Sequence, residues 1–327
     1  MRKSAVRLAL CAILLALCGP AHAQQMGKVC RIGYFAGGAA GPSSPRAEAL
    51  RRGLLELGYV EGKNITFVYQ TAEGRLGLLP DLAAELVRLK VDVIVAVGDG
   101  PITAARQATN TIPVVMAASN DPVGLGHVVS LAKPGGNVTG LSTISSELVG
   151  KRVELLKEII PRASRLAVLR DPRNPGTALH LKEIELAGRA LGLRTRSFDL
   201  RSAVEIEPAF RAVAKYRTDV LLILPGALFG IHSKQILNSA AKLRIPTMHP
   251  HEEWVLDGGL MTYDANIFAL IRRAATYVDK ILKGTQPSEL PVEQPIKFDF
   301  VINLKAAKQI GLTIPPNVLA RADRVIK

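Results

Sequence analysis

Cysteine is scarce in this sequence, with three residues in a chain of 327. Two of the three lie within residues 1–23, which combine a basic start, an apolar run at 8–17 and the small-residue pattern Ala21-His22-Ala23. This order predicts a secretory signal peptide that is cleaved after Ala23. The cleaved chain keeps Cys30 as its single cysteine, which excludes an internal disulfide even in an exported compartment that would permit one.

Two other fates of the N-terminal segment stay open at this point. A membrane anchor would need about 20 apolar residues, and the run at 8–17 is half that length. Lipoprotein processing would use Cys18, but the processing enzymes want a small residue where Leu17 stands. Cleavage after Ala23, giving an exported protein, is therefore the preferred prediction.

Aromatic residues and long basic runs are also few. Aromatic residues make up 5% of the chain and no run of Lys or Arg exceeds two residues, although the formal net charge is +14, or +11 without residues 1–23. A nucleic-acid interface combines clustered basic residues with aromatic platforms, so this pattern argues against one. Dispersed positive charge instead serves solubility and long-range attraction of anions.

The motifs of common catalytic sites are missing as well. The chain has no Gly-x-Ser-x-Gly, no His-Glu-x-x-His and no Cys-x-x-Cys, which argues against a serine hydrolase and against a metal or other cofactor. His249 and His251 could share one face of a strand as metal ligands, but a closed site needs further ligands. Cys30 is interpreted as a small hydrophobic residue rather than a nucleophile. We therefore predict a protein that is not an enzyme.

A glycine-rich loop imitates part of a nucleotide-binding motif. Gly98-Asp99-Gly100 follows a predicted strand and opens a helix, as in a dinucleotide fingerprint, but Thr103 stands where the third glycine belongs. That glycine allows the close approach of helix and strand. The preferred interpretation is a loop that contacts a ligand through its backbone N–H groups.

Strand-like apolar runs alternate with amphipathic helical patterns along the rest of the chain. The run at 91–97 is nearly continuously apolar, which is typical of a parallel strand covered by helices on both faces. Strands that alternate with helices of about 10–15 residues predict doubly wound sheets. The alternation starts afresh after Glu147, and the turn at 133–136 isolates the short segment between them, so 137–143 is predicted to cross between two lobes. One large α/β domain is the alternative.

Two such lobes would hold a ligand between them. In open parallel sheets, ligands bind at the carboxyl ends of the strands, and helix N-termini there offer unpaired N–H groups to anions. The loops that follow the predicted strands are therefore the candidate lining of a cleft, namely 37–46, 98–101, 119–122, 170–175, 225–228 and 249–251.

Several longer motifs resemble a known family. They are Gly-Tyr-Val-Glu-Gly at 58–62, Asp-Pro-Val at 121–123, Pro-Gly-Gly-Asn-Val-Thr-Gly at 134–140, and the segments 273–284 and 291–315. On these motifs the chain, from Cys30 to the C-terminus, resembles the tryptophan/tyrosine-type family of ABC-transporter substrate-binding proteins.

The resemblance implies an α/β, type I periplasmic binding-protein fold. Its two doubly wound parallel-sheet lobes would be joined by crossing segments at 137–143, 260–264 and 295–298. Lobe 1 would comprise 28–138 and 265–295, and lobe 2 would comprise 139–264 and 296–327. It also implies a monomer in the periplasm that closes on a small amino-acid-like or related organic solute and delivers it to an ABC permease and its ATPase. Two alternatives stay open: an exported ligand-sensing domain for a signalling partner, and an exported hydrolase or dehydrogenase.

Fourteen residues near the predicted cleft are candidate ligand contacts. Arginines could pair with a ligand carboxylate through their planar fork, aspartates could accept from a ligand ammonium, and aromatic rings could stack. Two departures from the family pattern, Arg-Asp-Pro at 170–172 and Tyr-Asp at 263–264, put charge near the cleft and favour a charged or zwitterionic ligand. The candidates are Phe35, Gly37, Arg46, Gly98, Asp99, Ser119, Asp121, Arg170, Asp171, Asn174, Pro225, His249, Tyr263 and Asp264.

Overall fold

The computed structural model describes residues 29–38 and 41–327, which form two β-sheets, each with a hydrophobic core on both faces. We call the first sheet with its helices lobe 1 and the second sheet with its helices lobe 2. This confirms the predicted α/β fold of two lobes and excludes the single continuous sheet of the alternative. The predicted signal peptide, its cleavage site and Cys18 lie outside the described residues.

Lobe 1 contains five parallel strands in the order β2-β1-β3-β4-β5. Every residue of β3 is buried, because helices cover both faces of the sheet. The elements are β1 (Cys30–Ala36), α1 (Pro45–Glu56), β2 (Ile65–Thr71), α2 (Leu79–Arg88), β3 (Val93–Val97), α3 (Asp99–Ala108), β4 (Val114–Ser119) and β5 (Val138–Ser142), with a 3₁₀ turn at Leu76–Leu78. The predicted first crossing, 137–143, thus contains the edge strand of this sheet.

Neighbouring residues of β1 face different helices. Tyr34 and Ala36 lie in the core shared with α1, including Leu50. Phe35 lies on the opposite face, in the core shared with Leu86 of α2. The strand is buried on both faces, and this alternation decides which of its aromatic residues faces the cleft.

Lobe 2 begins with α4 (Ser145–Ile159) and repeats the alternation of strand and helix. It continues through β6 (Arg165–Arg170), α5 (Thr177–Ala190), β7 (Arg194–Asp199), α6 (Ile206–Lys215), β8 (Val220–Ile223), α7 (Ala227–Ile231), α8 (Ser233–Lys242), β9 (Thr247–His249), α9 (Glu252–Leu256) and β10 (Met261–Ala265). A further 3₁₀ turn lies at Ala203–Glu205.

The chain then returns to lobe 1 before it ends in lobe 2. Helix α10 (Ile267–Leu282) starts at Asn266, whose side chain accepts from the Ala269 N–H, and buries its apolar stripe in the lobe 1 core. It packs so closely on α1 that a Cβ on Gly53 would collide with the Arg272 carbonyl oxygen. The remaining elements are the 3₁₀ turn Pro287–Glu289, β11 (Phe298–Asn303), α11 (Leu304–Gln309), α12 (Pro316–Leu319) and β12 (Arg324–Ile326).

The lobe 2 sheet has seven strands in the order β12-β11-β10-β9-β8-β6-β7. All neighbouring pairs are parallel except β10 and β11, which are antiparallel. The sheet is therefore mixed, which differs from the purely parallel sheet that the sequence predicts. The cause is that β11 follows the excursion of α10 into lobe 1 and enters the sheet from the opposite end.

The chain passes between the lobes at three neighbouring places. It leaves lobe 1 after β5 through Ile144, which has a left-handed backbone with φ 47°, leaves lobe 2 after β10, and re-enters lobe 2 after Glu293. The first and third connections are hydrogen-bonded to each other, from Ser142 N to Glu293 O at 2.9 Å and from Glu293 N to Gly140 O at 3.0 Å. Adjacent connections of this kind form a hinge.

Within the described part of the chain, no helix has the length and apolar character that crossing a membrane requires.

Candidate ligand-binding site

A cavity of about 300 Å³ lies between the two lobes. Its walls come from loops at the carboxyl ends of strands, as expected for parallel sheets. In lobe 1 these loops follow β1, β3 and β4, and in lobe 2 they follow β6, β8 and β9. The lining residues are Tyr34, Ala36, Gly37, Gly38, Arg46, Leu76, Val97, Gly98, Asp99, Gly100, Pro101, Ala118, Asn120, Thr143 and Ile267 from lobe 1 and the first crossing, and Asn174, Pro225, Gly226, Ala227, Gly230, Ile231, Ser233, Pro250, His251, Glu253, Trp254 and Asp257 from lobe 2.

The lobes touch each other around this cavity. A Cβ on Gly176 of lobe 2 would lie 2.7 Å from Asp99 Oδ2 of lobe 1, and one on Gly37 of lobe 1 would lie 3.1 Å from the Ala227 Cβ of lobe 2. Glycine at both positions permits this approach, because any larger side chain would have to displace the facing group. The structure is therefore a closed arrangement of the two lobes.

Asp99 is a buried carboxylate in the lobe 1 wall. Gly98, with φ 89°, turns the chain from β3 into α3 and places Asp99 in the first helical turn, where the helix dipole favours negative charge. Asp99 Oδ1 accepts from Ser119 Oγ and from Asn120 N, each at 3.0 Å, and Oδ2 accepts from Asn120 Nδ2 at 2.5 Å. A carboxylate has about four acceptor sites, so these three bonds leave one on Oδ2. In this closed arrangement Gly176 covers that site, the Asp99 side chain has no exposed surface, and His127 Nε2 lies 3.8 Å from Oδ1.

An ion pair crosses the cleft between Arg46 of α1 and Glu253 of α9. Arg46 Nη2 lies 2.7 Å from Glu253 Oε2, and Arg46 Nε lies 3.4 Å from Oε1. The side chains are 30% and 31% exposed. Burial by itself would raise the pKa of Glu253, but the charge and hydrogen bonds of Arg46 outweigh it and hold that pKa below its ordinary value.

Apolar groups form much of the remaining wall, with two aromatic rings behind it. Tyr34 comes from lobe 1, and Trp254, the single tryptophan of the sequence, comes from lobe 2. Trp254 stacks on His249 with ring centroids 5.3 Å apart and planes at 23°. Burial raises the pKa of Tyr34 to about 12, so its hydroxyl stays protonated. Both rings are almost fully buried in the cores of their lobes, so they lie behind the cavity wall with little surface exposed to it.

His251 connects the cavity to the second crossing. Its Nδ1 lies 3.1 Å from Asp264 Oδ2, and Asp264 is in turn 3.0 Å from Nη2 of the buried Arg152. A ligand that moves His251 would therefore act on a residue of the hinge.

Six of the fourteen sequence-predicted residues line the cavity, and three others contact its lining. Ser119 donates to Asp99, His249 stacks on Trp254, and Asp264 contacts His251. The six that line it are Gly37, Arg46, Gly98, Asp99, Asn174 and Pro225.

The structure places the other five predicted residues away from the cavity. Asp121 Oδ1 accepts from the Gly124 N–H at 2.8 Å and closes a loop. Arg170 pairs with Asp199 at 2.7 Å, at the ends of β6 and β7. Phe35 faces the lobe 1 core, Asp171 is buried against Arg173, and Tyr263 packs near Phe298 and Phe300.

Several lining residues fall outside the loops that the sequence indicates. Glu253, Trp254 and Asp257 belong to α9 or follow it, and Ile267 begins α10. The available signal was the acidic pair Glu252-Glu253 after His251, because acidic residues in a first turn mark a helix start. That helix turns the lobe 2 wall back toward lobe 1.

His249 and His251, which the sequence suggested as possible metal ligands, differ in their surroundings. Among residues 29–38 and 41–327, no group of three or more His, Cys, Asp or Glu side chains could hold a metal ion. His249 is fully buried, with Nε2 2.7 Å from Thr247 Oγ1, while His251 is the residue that reaches the cavity. The two histidines therefore face different surroundings.

Comparison with known proteins gives the family. Residues 44–326 match the family model described as ABC transporter substrate binding protein. The tyrosine-binding protein of Clostridioides difficile (strain R20291) is 26% identical over 262 residues, which are 80% of this chain and 75% of that protein.

Two crystal structures agree with this match. A conserved domain protein from Vibrio cholerae O1 biovar El Tor is 30% identical with a TM-score of 0.85, and an ABC domain in complex with L-Trp from Streptococcus pneumoniae is 25% identical with a TM-score of 0.83. In each case the alignment covers 91% of this chain and 100% of the other. The family that the sequence motifs resemble is thereby confirmed. The chain belongs to the ABC transporter substrate-binding proteins, a family whose members bind a solute and are not enzymes.

Proposed function

We propose that this protein captures a free amino acid with an aromatic or other apolar side chain and closes its lobes on it. The cavity has the size of a small-molecule site, about 300 Å³. Relatives carry names that refer to tyrosine and to L-Trp. The chemistry of the cavity wall supports the same class of ligand.

Asp99 is the observation that carries this proposal. It is a buried carboxylate beside the cavity, its orientation is set by Ser119 and Asn120, and one acceptor site on Oδ2 is covered only by Gly176 of the other lobe. A ligand ammonium that enters while the lobes are apart would take that site with a charge-assisted hydrogen bond. The backbone N–H groups at the start of α3 suit the ligand carboxylate.

The apolar lining supports an apolar side chain on the ligand. Tyr34 and Trp254 belong to the cavity lining on opposite lobes, so an apolar side chain that fills the cavity would contact both halves of the protein. Contacts with both lobes are what stabilise a closed state, because only differential contacts shift a conformational equilibrium.

We also propose a cellular setting for this binding. The signal peptide would be cleaved after Ala23, and the monomeric protein would work in the periplasm and deliver its ligand to an ABC permease and its ATPase. The lobes would move relative to each other about the hinge, which comprises the connections after β5, after β10 and before β11.

The test is calorimetric titration of the mature chain with the common L-amino acids. We expect L-tryptophan or L-tyrosine to bind, and Asp99→Asn to weaken that binding about 30-fold or more, because a hydrogen bond between charged groups is replaced by a weaker one. Asp121→Asn is the matched control, since Asp121 closes a loop outside the cavity. Absence of amino-acid binding, or equal affinity of Asp99→Asn and parent, would overturn the proposal.

A further inference from the structure

The ion pair between Arg46 and Glu253 uses the group that would otherwise bind a ligand carboxylate. Arg46 and His251 are the basic side chains among the described residues that line the cavity, whereas Asp99, Glu253 and Asp257 are acidic. Arg46 directs Nε and Nη2, one edge of its planar fork, to both oxygens of Glu253. A bidentate edge of this kind is what a carboxylate ligand would need.

The pair can form only when the cleft is shut. Arg46 belongs to α1 of lobe 1 and Glu253 to α9 of lobe 2, 207 positions apart in the chain. Separation of the lobes would therefore return both charges to water.

We infer that Arg46 and Glu253 form a closure latch, with Glu253 standing in for a ligand carboxylate, so that the site selects its ligand through an amine at Asp99 and not through Arg46. This inference rests on the proposed function for its ligand, and it adds that the ligand amine is the group that determines recognition. The latch stabilises the closed state whether or not a ligand is present. It therefore raises the apparent affinity for every ligand by the same factor.

Two roles for Arg46 predict opposite effects of Glu253→Gln. In one, Arg46 forms the latch with Glu253, and in the other it binds the ligand carboxylate directly. If Arg46 bound the ligand carboxylate, neutralising its competitor would strengthen binding, and Arg46→Met would abolish it. A latch predicts that Glu253→Gln and Arg46→Met each weaken binding of L-tryptophan about tenfold. It also predicts that the double variant is no weaker than either single variant, because all three remove the same interaction.

Calorimetry with L-tryptophan as the probe makes this comparison. The parent should also lose affinity as salt is raised, because a pair that is about one-third exposed is screened, and Glu253→Gln should show a smaller loss. Glu56→Gln is the matched control, since Glu56 receives the guanidinium of Arg272 within lobe 1, with Nε at 2.9 Å. It should leave binding unchanged. Stronger binding by Glu253→Gln, or additive losses in the double variant, would overturn the latch.

A measurement without ligand separates this inference from the proposed function. Small-angle X-ray scattering of the ligand-free mature chain should show a larger radius of gyration for Glu253→Gln and Arg46→Met than for the parent and Glu56→Gln. Equal radii in all four proteins would contradict the latch even if amino acids bind. A shift confined to the two latch variants would support it even if no amino acid binds, in which case only the proposed ligand class fails.

Discussion

Arg152 and Asp264 form a buried ion pair beside the hinge, with Nη2 and Oδ1 3.0 Å apart. The Arg152 side chain is 1% exposed. Its Nε donates to Tyr263 O at 2.8 Å and its Nη1 donates to Ser145 Oγ at 2.9 Å. One side chain of α4 therefore fixes the start of that helix against the strand that leads into the second crossing.

Arg152→Met should destabilise the protein by about 3–5 kcal/mol, because removing one partner of a buried pair leaves the other charge uncompensated. Urea unfolding of the mature chain measures this. Arg170→Met is the control, since Arg170 and Asp199 form a pair that is partly exposed and should contribute about 1 kcal/mol or less. Equal losses in the two variants would show that the Arg152 pair has no special role.

Gly176→Ala should impair closure while leaving the unfolding temperature nearly unchanged. The backbone at Gly176 has φ −69°, which alanine adopts readily, but the new Cβ would lie 2.7 Å from Asp99 Oδ2 across the cleft. We expect binding of L-tryptophan to weaken about tenfold, because the closed state becomes less populated.

Gly53→Ala is the counterpart of that variant within one lobe. The new Cβ would collide with the Arg272 carbonyl oxygen in the contact of α1 with α10, so the unfolding temperature should fall although alanine favours helices by about 1 kcal/mol over glycine. Thermal unfolding and calorimetry of both variants check the pair. Reversed effects, with Gly176→Ala unstable and Gly53→Ala binding poorly at full stability, would contradict the assignment of these contacts.

His249 should make stability depend on pH on the acid side. Burial lowers the pKa of His249 to about 3, whereas an unfolded histidine has a pKa of about 6.5. Between these values the unfolded state binds more protons, so its contribution to stability is present above about pH 6.5 and falls by about 1.4 kcal/mol per pH unit below it. His249→Gln should flatten the slope of unfolding free energy between pH 6.5 and about 5, measured with urea. An unchanged slope would contradict neutral burial.

Much of the fold was predictable from local patterns. The apolar run at 91–97 contains β3, Val93–Val97, because a strand covered by helices on both faces must be apolar throughout. The antiparallel β11 was not predictable in this way, since its direction depends on where α10 carries the chain in space.

The site was predictable at the level of loops but not of side chains. Topology assigns Gly98, Asp99 and Asn174 to the cleft, because loops at the carboxyl ends of parallel strands meet there. It does not choose between Tyr34 and Phe35, because β1 is buried on both faces and shows no polar alternation. The pairing of Arg46 with Glu253 leaves no local signal either, because the two belong to different lobes.

Binding of an amino acid through its amine at Asp99 is tested most directly by a titration in which the ligand, and not the protein, is changed. Calorimetry compares L-tryptophan with indolepropionate, the same molecule without its α-amine, on the unmodified mature chain. We predict binding of one L-tryptophan per chain and a loss of affinity of about 30-fold or more for indolepropionate. Equal affinity for the two molecules, or binding of neither this amino acid nor L-tyrosine, would contradict the account.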